Sequence, residues 1–260
     1  MENKKVVYFK MREEKIRIEL LIHDLKVPLA VIETGIMSLL KRQEKYGTIK
    51  EEQEKVLYRA LRNTKLIHAM VNDALELGRS REGIIDMEQF EVSNLVISAL
   101  TELFDLIDLD ISDRVKECRE LSTLKRILGE KNIRLLINEA LWTNELFLDL
   151  GKMKQILRNL LNNAFKYCKS LIELEFYKEK NHLVFSVRDD GEGIPLDFHK
   201  KIFKSYFQMD IKDCHTVRGH GLGLAGSMVL IEDMGGKLSL ESSEGNGAKF
   251  IVSVPLRPKK

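Results

Sequence analysis

Two apolar stripes at helical spacing, separated by a single turn, open this 260-residue chain and limit how it can fold. The first runs through Ile16, Leu20, Leu21 or Ile22, Leu25, Leu29, Ile32, Ile36, Leu39 and Leu40, and predicts a helix from Arg12 to Arg42. The second alternates steps of four and three through Leu57, Leu61, Thr64, His68, Val71 and Leu75, the seam of a bundle, on a helix from Ile49 to Gly78. Between them Gly47 can end the first helix in the left-handed conformation. Thr48 with Glu51 reads as a capping box that starts the second. A hairpin of this kind cannot bury its stripe alone. Two copies joined in a four-helix bundle are the simplest solution, which predicts a homodimer.

The pattern breaks at Arg79-Ser80-Arg81-Glu82-Gly83, a linker that divides a hairpin domain, 1–83, from a second domain, 84–260. There helices are expected at Asn94–Ile107, Lys152–Tyr167 and Leu222–Met234. Strands are expected at Ile133–Ile137, Leu171–Tyr177, Leu183–Val187, Lys237–Leu240 and Lys249–Val254. Strands interleaved with a few helices predict an α/β sandwich, one helical layer on one sheet, so the chain as a whole reads as α+β. The basic, helix-like stretch Val115–Leu128 inside Asp108–Lys131 is expected to be a surface decoration.

Composition removes several function classes. With 42 basic against 40 acidic residues the net charge is +2, which leaves no domain-wide excess for a nucleic-acid partner. The C-terminal Arg257-Pro258-Lys259-Lys260 reads as a solvated tail. Cys118, Cys168 and Cys214 form no CxxC pair, which argues against a zinc site or a disulfide framework and for a reduced, cytoplasmic setting. The N-terminus lacks the apolar core of a secretory signal. No apolar run reaches the roughly 18 to 20 residues that a membrane span requires.

Four segments carry chemistry. On the helix Lys152–Tyr167, Asn159, Asn162, Asn163 and Lys166 fall at i, i+3, i+4 and i+7 and therefore share a face. Asparagine is a mediocre helix former, so three on one face read either as a solvated polar side or as a wall of amides. A carbonyl oxygen of such a wall can complete the shell of a Mg²⁺ held mostly by phosphates and water. Arg188-Asp189-Asp190-Gly191-Glu192-Gly193-Ile194-Pro195 follows a strand. Its glycines permit close backbone approach, and its strand-end carboxylate can accept from an exocyclic amine such as adenine's, although alone it is equally an ordinary turn. Arg218-Gly219-His220-Gly221-Leu222-Gly223 opens an apolar helix whose N-terminal N–H groups suit phosphates; no Lys-Ser/Thr follows, so it is not a Walker A loop. Finally, His23 is followed by Asp24 and, one turn on, by Pro28. Proline within a helix costs roughly 3 kcal/mol and calls for an explanation. A largely neutral imidazole can be a nucleophile at Nε2 if Asp24 holds the Nδ1 proton.

Taken in order, HDLKVPL, LRNLLNNAFKY, RDDGEGIP, KIFKSYFQM and GHGLGLAGSMVLIEDMGGKLSLESSEGNGAKF closely resemble the bacterial sensor histidine kinases over nearly the whole chain. The resemblance implies an ATP-binding sandwich shared with gyrase-like ATPases, joined to a dimeric four-helix bundle. It implies that His23 is the phosphoacceptor and Asp24 its acidic neighbour. Asn159, Asn163, Lys166 and the adjoining Tyr167 match the asparagine box, with Asn163 as the Mg²⁺ ligand and Lys166 catalytic. Asp189 matches the adenine-reading carboxylate, beside Gly191 and Gly193. Ile202, Phe203 and Phe207 match a phenylalanine box, and Gly219, Gly221, Leu222 and Gly223 a second glycine box. The implied reaction uses ATP and Mg²⁺ and ends on an aspartate of a separate response-regulator receiver domain.

The chain departs from the family pattern in three places: Val27, Gln208 and the segment Asp108–Lys131, which is longer than the family normally needs. Val27 stands four residues after the acceptor, where many members carry Thr or Asn to orient water, so regulator phosphatase activity is expected to be weak or absent. Gln208 replaces a frequent arginine, leaving Lys204 or Arg218 to supply charge near the phosphates. Too few residues precede His23 for a sensor domain, so the chain is expected to be an excised core or to take input from an upstream sensor protein. His68 competes as acceptor but lies on the bundle seam. A degenerate docking module and a gyrase-like ATPase remain the rival readings.

Overall fold

The computed structural model describes residues 25–80, 85–203 and 223–256, and the chain divides into two compact units between Gly78 and Arg79. The first unit is a pair of helices. Helix α1 covers 25–41 and continues through Pro28; a single helical turn, α2 (Gln43–Tyr46), and an extended link lead to α3 (Glu51–Ser80). Gly47 has a positive φ of 91°, but its ψ of 161° is extended rather than left-handed helical, and it closes α2 rather than α1. The capping box also differs from expectation. Helix α3 starts two residues later than Thr48 places it, and Gln53, not Glu51, reaches back to the N–H of Lys50 at 3.0 Å.

Among the described side chains of the hairpin, Leu61 and Thr64 of the expected seam are buried, and Thr64 returns its hydroxyl to the Ala60 carbonyl at 3.0 Å. Much of the remaining apolar surface faces outward: Val31 is 66% and Val56 60% exposed. The side chains of His68 and Leu75 lie outside the described residues.

The second unit begins with β1 (Glu88–Glu91), α4 (Val92–Ile107), α5 (Leu109–Glu117), α6 (Leu121–Gly129), β2 (Ile133–Leu136), the short α7 (Glu139–Trp142) and β3 (Glu145–Leu148). It continues with α8 (Leu150–Tyr167), β4 (Ile172–Glu179), β5 (His182–Asp189), α9 (Gly223–Asp233), β6 (Lys237–Ser242) and β7 (Ala248–Pro255). Five strands form one sheet in the order β2-β4-β5-β7-β6, parallel between β2 and β4 and antiparallel elsewhere. A separate antiparallel pair, β1 with β3, is not evident from the sequence, because four-residue strands carry too little alternation to register.

Period-2 alternation puts Leu174 beside Val187, Phe176 beside Phe185 and Phe185 beside Val252, all buried on one face of the sheet. Helix α8 covers that face with Ile156, Leu157, Leu160 and Leu161, and the edge-on ring contact of Phe104 with Phe165 joins α4 to α8. The other face carries the charged row Arg134, Glu173, Arg188, Lys249 and Glu241, paired strand to strand. The segment Asp108–Lys131 is not a decoration. It forms two helices broken at Cys118-Arg119-Glu120, and Ile111, Val115, Leu121, Leu124, Ile127 and Leu128 belong to the same core as the sheet. Its apolar period is legible in the sequence; its burial depends on β2, which it delivers to the sheet edge.

Candidate functional site

The site is built where the end of β5 meets the C-terminal end of α8. Asp189 occupies the same inward-facing row as Ile172 and Ala248, so strand alternation places a carboxylate on the helix-covered side of the sheet. It is buried and accepts the Gly191 N–H at 2.9 Å. Burial pushes its carboxyl above the ordinary value, with the N–H groups of Gly191 and Ala248 opposing the shift. A buried carboxylate answered mainly by backbone N–H groups keeps lone pairs for a further donor.

Glycines make the approach possible. A Cβ on Gly191 would overlap the Tyr167 carbonyl and crowd Asp189 Oδ1, so the loop lies directly on the end of α8. Gly193, at φ +72°, lies equally close to the Ser243 carbonyl. The loop is tied to the β6–β7 turn by further bonds. Ser242 Oγ accepts the Ile194 N–H at 2.8 Å and donates to the Gly247 carbonyl at 2.6 Å, while the Gly245 N–H reaches the Glu192 carbonyl at 2.7 Å. Gly247 itself, at φ +72°, lies against the Asp189 carbonyl, where no Cβ fits. Neither Ser242 nor Gly247 stands out in the sequence; the only signal is the glycine-rich EGNGAKF turn, which looks like any hairpin connection.

Asp190 does different work. Its carboxylate accepts the N–H groups of Lys169 and Ser170 and the Ser170 hydroxyl, the last at 2.6 Å, and so fastens the turn between α8 and β4. The Ser170 hydroxyl and then its N–H hold this carboxyl well below the usual range. Burial, with Asp190 and Asp189 nearby, pushes the Cys168 thiol up, so it is no thiolate nucleophile at neutral pH.

On α8 the asparagine face divides. Asn159 is buried and donates from Nδ2 to the Gly223 carbonyl at 3.2 Å and to Ser227 Oγ at 3.3 Å, which joins α8 to the start of α9. Asn162, Asn163 and Lys166 are half-buried, and Lys166 Nζ lies 4.9 Å from the centre of the Tyr167 ring. At the far end of α8, Asp149 caps the helix through the Lys152 N–H, and buried Lys152 pairs with Asp233 of α9 at 3.0 Å. Two polar ties therefore hold α9 antiparallel along α8. Of the expected site residues, the fold gathers Tyr167, Asp189, Gly191 and Gly193 at one corner and Asn159 with Gly223 at the next. His23, Asp24, Lys204, Phe207, Gln208, Arg218, Gly219, Gly221 and Leu222 lie outside the described residues.

The donor chemistry fits a phosphate-bound cation better than an all-protein metal site. Among the described residues there is no cluster of three or more His, Cys, Asp or Glu able to hold a metal. The amides of the α8 face are the kind of neutral oxygen that supplements phosphates and water around Mg²⁺. No described helix is long and apolar enough to cross a membrane.

Residues 149–258 match the histidine kinase-, DNA gyrase B- and HSP90-like ATPase family. The aerobic respiration control sensor protein ArcB of Escherichia coli K12 is 30% identical over 249 residues, covering 94% of this chain and 29% of ArcB. The sensor protein KdpD of Clostridium acetobutylicum is 28% identical over 250 residues, covering 94% of this chain and 25% of KdpD. The chain thus spans less than a third of the length of these two relatives. In fold it is similar to full-length ShkA, crystallised with AMPPNP, at a TM-score of 0.61 and 22% identity over 94% of this chain and 46% of that one. It is also similar to the Acinetobacter baumannii histidine kinase AdeS, at a TM-score of 0.54 and 17% identity over 91% of this chain and 98% of that one. Over nearly its whole length this chain is similar to two-component sensor histidine kinases, and its second unit carries the match to the histidine kinase-, DNA gyrase B- and HSP90-like ATPase family.

Proposed function

We propose that the chain is the core of a dimeric, ATP-dependent histidine autokinase, acting in the cytoplasm, that phosphorylates His23 and passes the phosphoryl group to an aspartate of a separate receiver domain. The observation that carries this reading is Asp189. A carboxylate placed on the apolar face at a strand end, against glycines that leave no room for side chains, is costly unless a ligand uses it. An adenine amino group is the donor that this corner is shaped to take. Asn163 would hold Mg²⁺ through its amide oxygen together with the phosphates, and Lys166 would meet the phosphates directly. When bound, Mg²⁺ supplies charge neutralisation on the phosphate oxygens.

In the transfer itself Nε2 of His23 attacks the γ-phosphorus in line, the bond to the β,γ-bridging oxygen breaks, and ADP leaves. Asp24 holds the Nδ1 proton and so keeps Nε2 unprotonated for attack. The exposed apolar side chains Val31 and Val56 support a second copy as the hairpin's partner. Val27 cannot orient a water, so dephosphorylation of the regulator is slow.

Incubation of the purified chain with γ-labelled ATP and Mg²⁺ tests the reading. Alkali-stable, acid-labile label is expected, absent from His23→Ala and Asn163→Ala. Label that survives His23→Ala, or ATP turnover with no labelled protein, overturns it.

A further inference from the structure

Ser227 of α9 is wholly buried, and its Oγ lies 2.8 Å from the Gly223 carbonyl and 3.3 Å from Asn159 Nδ2. The Asn159 amide also reaches the same Gly223 carbonyl at 3.2 Å. Counting protons fixes the direction of every bond in this triangle. A carbonyl only accepts, so the single Ser227 hydroxyl proton goes to Gly223, its nearer neighbour. The hydroxyl oxygen then has only lone pairs to offer Asn159. Both groups facing Asn159 from α9 are therefore acceptors, and the amide must turn its NH₂ toward them. An inverted amide would set oxygen against the Gly223 carbonyl oxygen. Oδ1 is consequently the atom that Asn159 can offer to a ligand on the asparagine face it shares with Asn163.

We propose that Ser227 is a positioning residue for the cation-bound nucleotide, acting through Asn159: it locks the amide so that an oxygen, never an NH₂, is presented on that face. The proposal rests on the reading of the α8 asparagine face as the nucleotide and cation site. Without the Ser227 oxygen, Asn159 keeps a single acceptor opposite its amide, and the orientation is held by one bond instead of two. The adenine corner at Asp189 is built from other elements and is unaffected. Ser227 thus acts on the metal-dependent part of nucleotide binding and not on the rest.

The experiment uses the full chain and measures AMPPNP affinity by calorimetry in Mg²⁺ and again in EDTA, with Tm recorded for each variant. In Ser227→Ala the Mg²⁺-dependent gain in affinity falls roughly five- to tenfold, the loss of about one hydrogen bond's worth of orientation. Affinity in EDTA is unchanged, and Ser227→Thr, which keeps the hydroxyl, recovers the gain. In an Asn159→Ala background, Ser227→Ala causes no further fall, because the group through which it acts is gone. An undiminished Mg²⁺ gain in Ser227→Ala overturns the proposal. So does an equal fall with and without metal accompanied by a lower Tm, which marks a plain tether between helices, and so does additivity with Asn159→Ala. If the wild-type chain binds no AMPPNP at all, the nucleotide reading itself falls and carries this inference down with it.

Discussion

Asp189 and Asp190 are chain neighbours placed in opposite environments: the first is buried under α8 beside Gly191, the second stands nearer the surface holding Ser170. Their carboxyl groups shift in opposite directions from the ordinary value of 3.8, Asp189 upward through burial and Asp190 downward through the Ser170 hydroxyl. One carboxylate faces the candidate site and the other fastens the fold.

Asp189→Asn is expected to separate binding from stability. With its folded pKa raised, Asp189 binds a proton more readily in the folded chain, so its ionisation reduces stability as pH rises from 3.8 through the folded value. Asparagine keeps an acceptor for the Gly191 N–H and carries no charge. At neutral pH the variant's Tm is equal to or above wild type, the gap closes under acid, and AMPPNP affinity falls about tenfold to a hundredfold. A large loss of Tm at neutral pH would contradict this.

Asp190→Asn should behave the opposite way. The folded pKa is depressed, so its stabilisation is complete above 3.8 and is lost as pH falls through the folded value. Denaturant titrations are expected to show a loss of about 1 kcal/mol at pH 7. The difference narrows in acid, and nucleotide affinity changes little.

Asp149 joins two elements by one carboxylate: Oδ1 takes the Lys152 N–H at 2.9 Å and Oδ2 the Asp86 N–H at 3.0 Å, at the entry to the second unit. Asp149→Ala leaves both donors without their partner and is expected to cost about 1–3 kcal/mol by urea denaturation. Asp149→Asn retains one acceptor and should lose less. Equal losses would mean that the acceptor kept by asparagine contributes nothing, and would contradict this account.

Gly245 and Gly247 both have positive φ, yet only one is crowded. Around Gly245 there is open space, whereas a Cβ on Gly247 would overlap the Asp189 carbonyl. Gly245→Ala should cost about 1 kcal/mol, the backbone penalty alone. Gly247→Ala must move the strand end that carries Asp189, so both Tm and AMPPNP affinity should drop. Retained affinity in Gly247→Ala would remove this turn from the site.

The chain's own pattern determined most of its elements. The 3.6-residue and 2-residue periods mark α4, α8, α9 and the longer strands because each of these buries one continuous face, and a face is a periodic object. The same reasoning placed Asn159, Asn162, Asn163 and Lys166 together, since side chains three and four apart on a helix must be neighbours. Tertiary structure decided what periodicity cannot express. Asp189 became a buried acceptor, and Asp190 an anchor for the neighbouring turn, only when β5 was paired between β4 and β7. Ser242 stands 48 residues from Ile194, and Ser227 68 residues from Asn159. Gly247 meets the Asp189 carbonyl from the far end of another strand. Contacts over such separations leave no trace in a local pattern, because only the folded sheet and the helix laid across it bring the partners within reach.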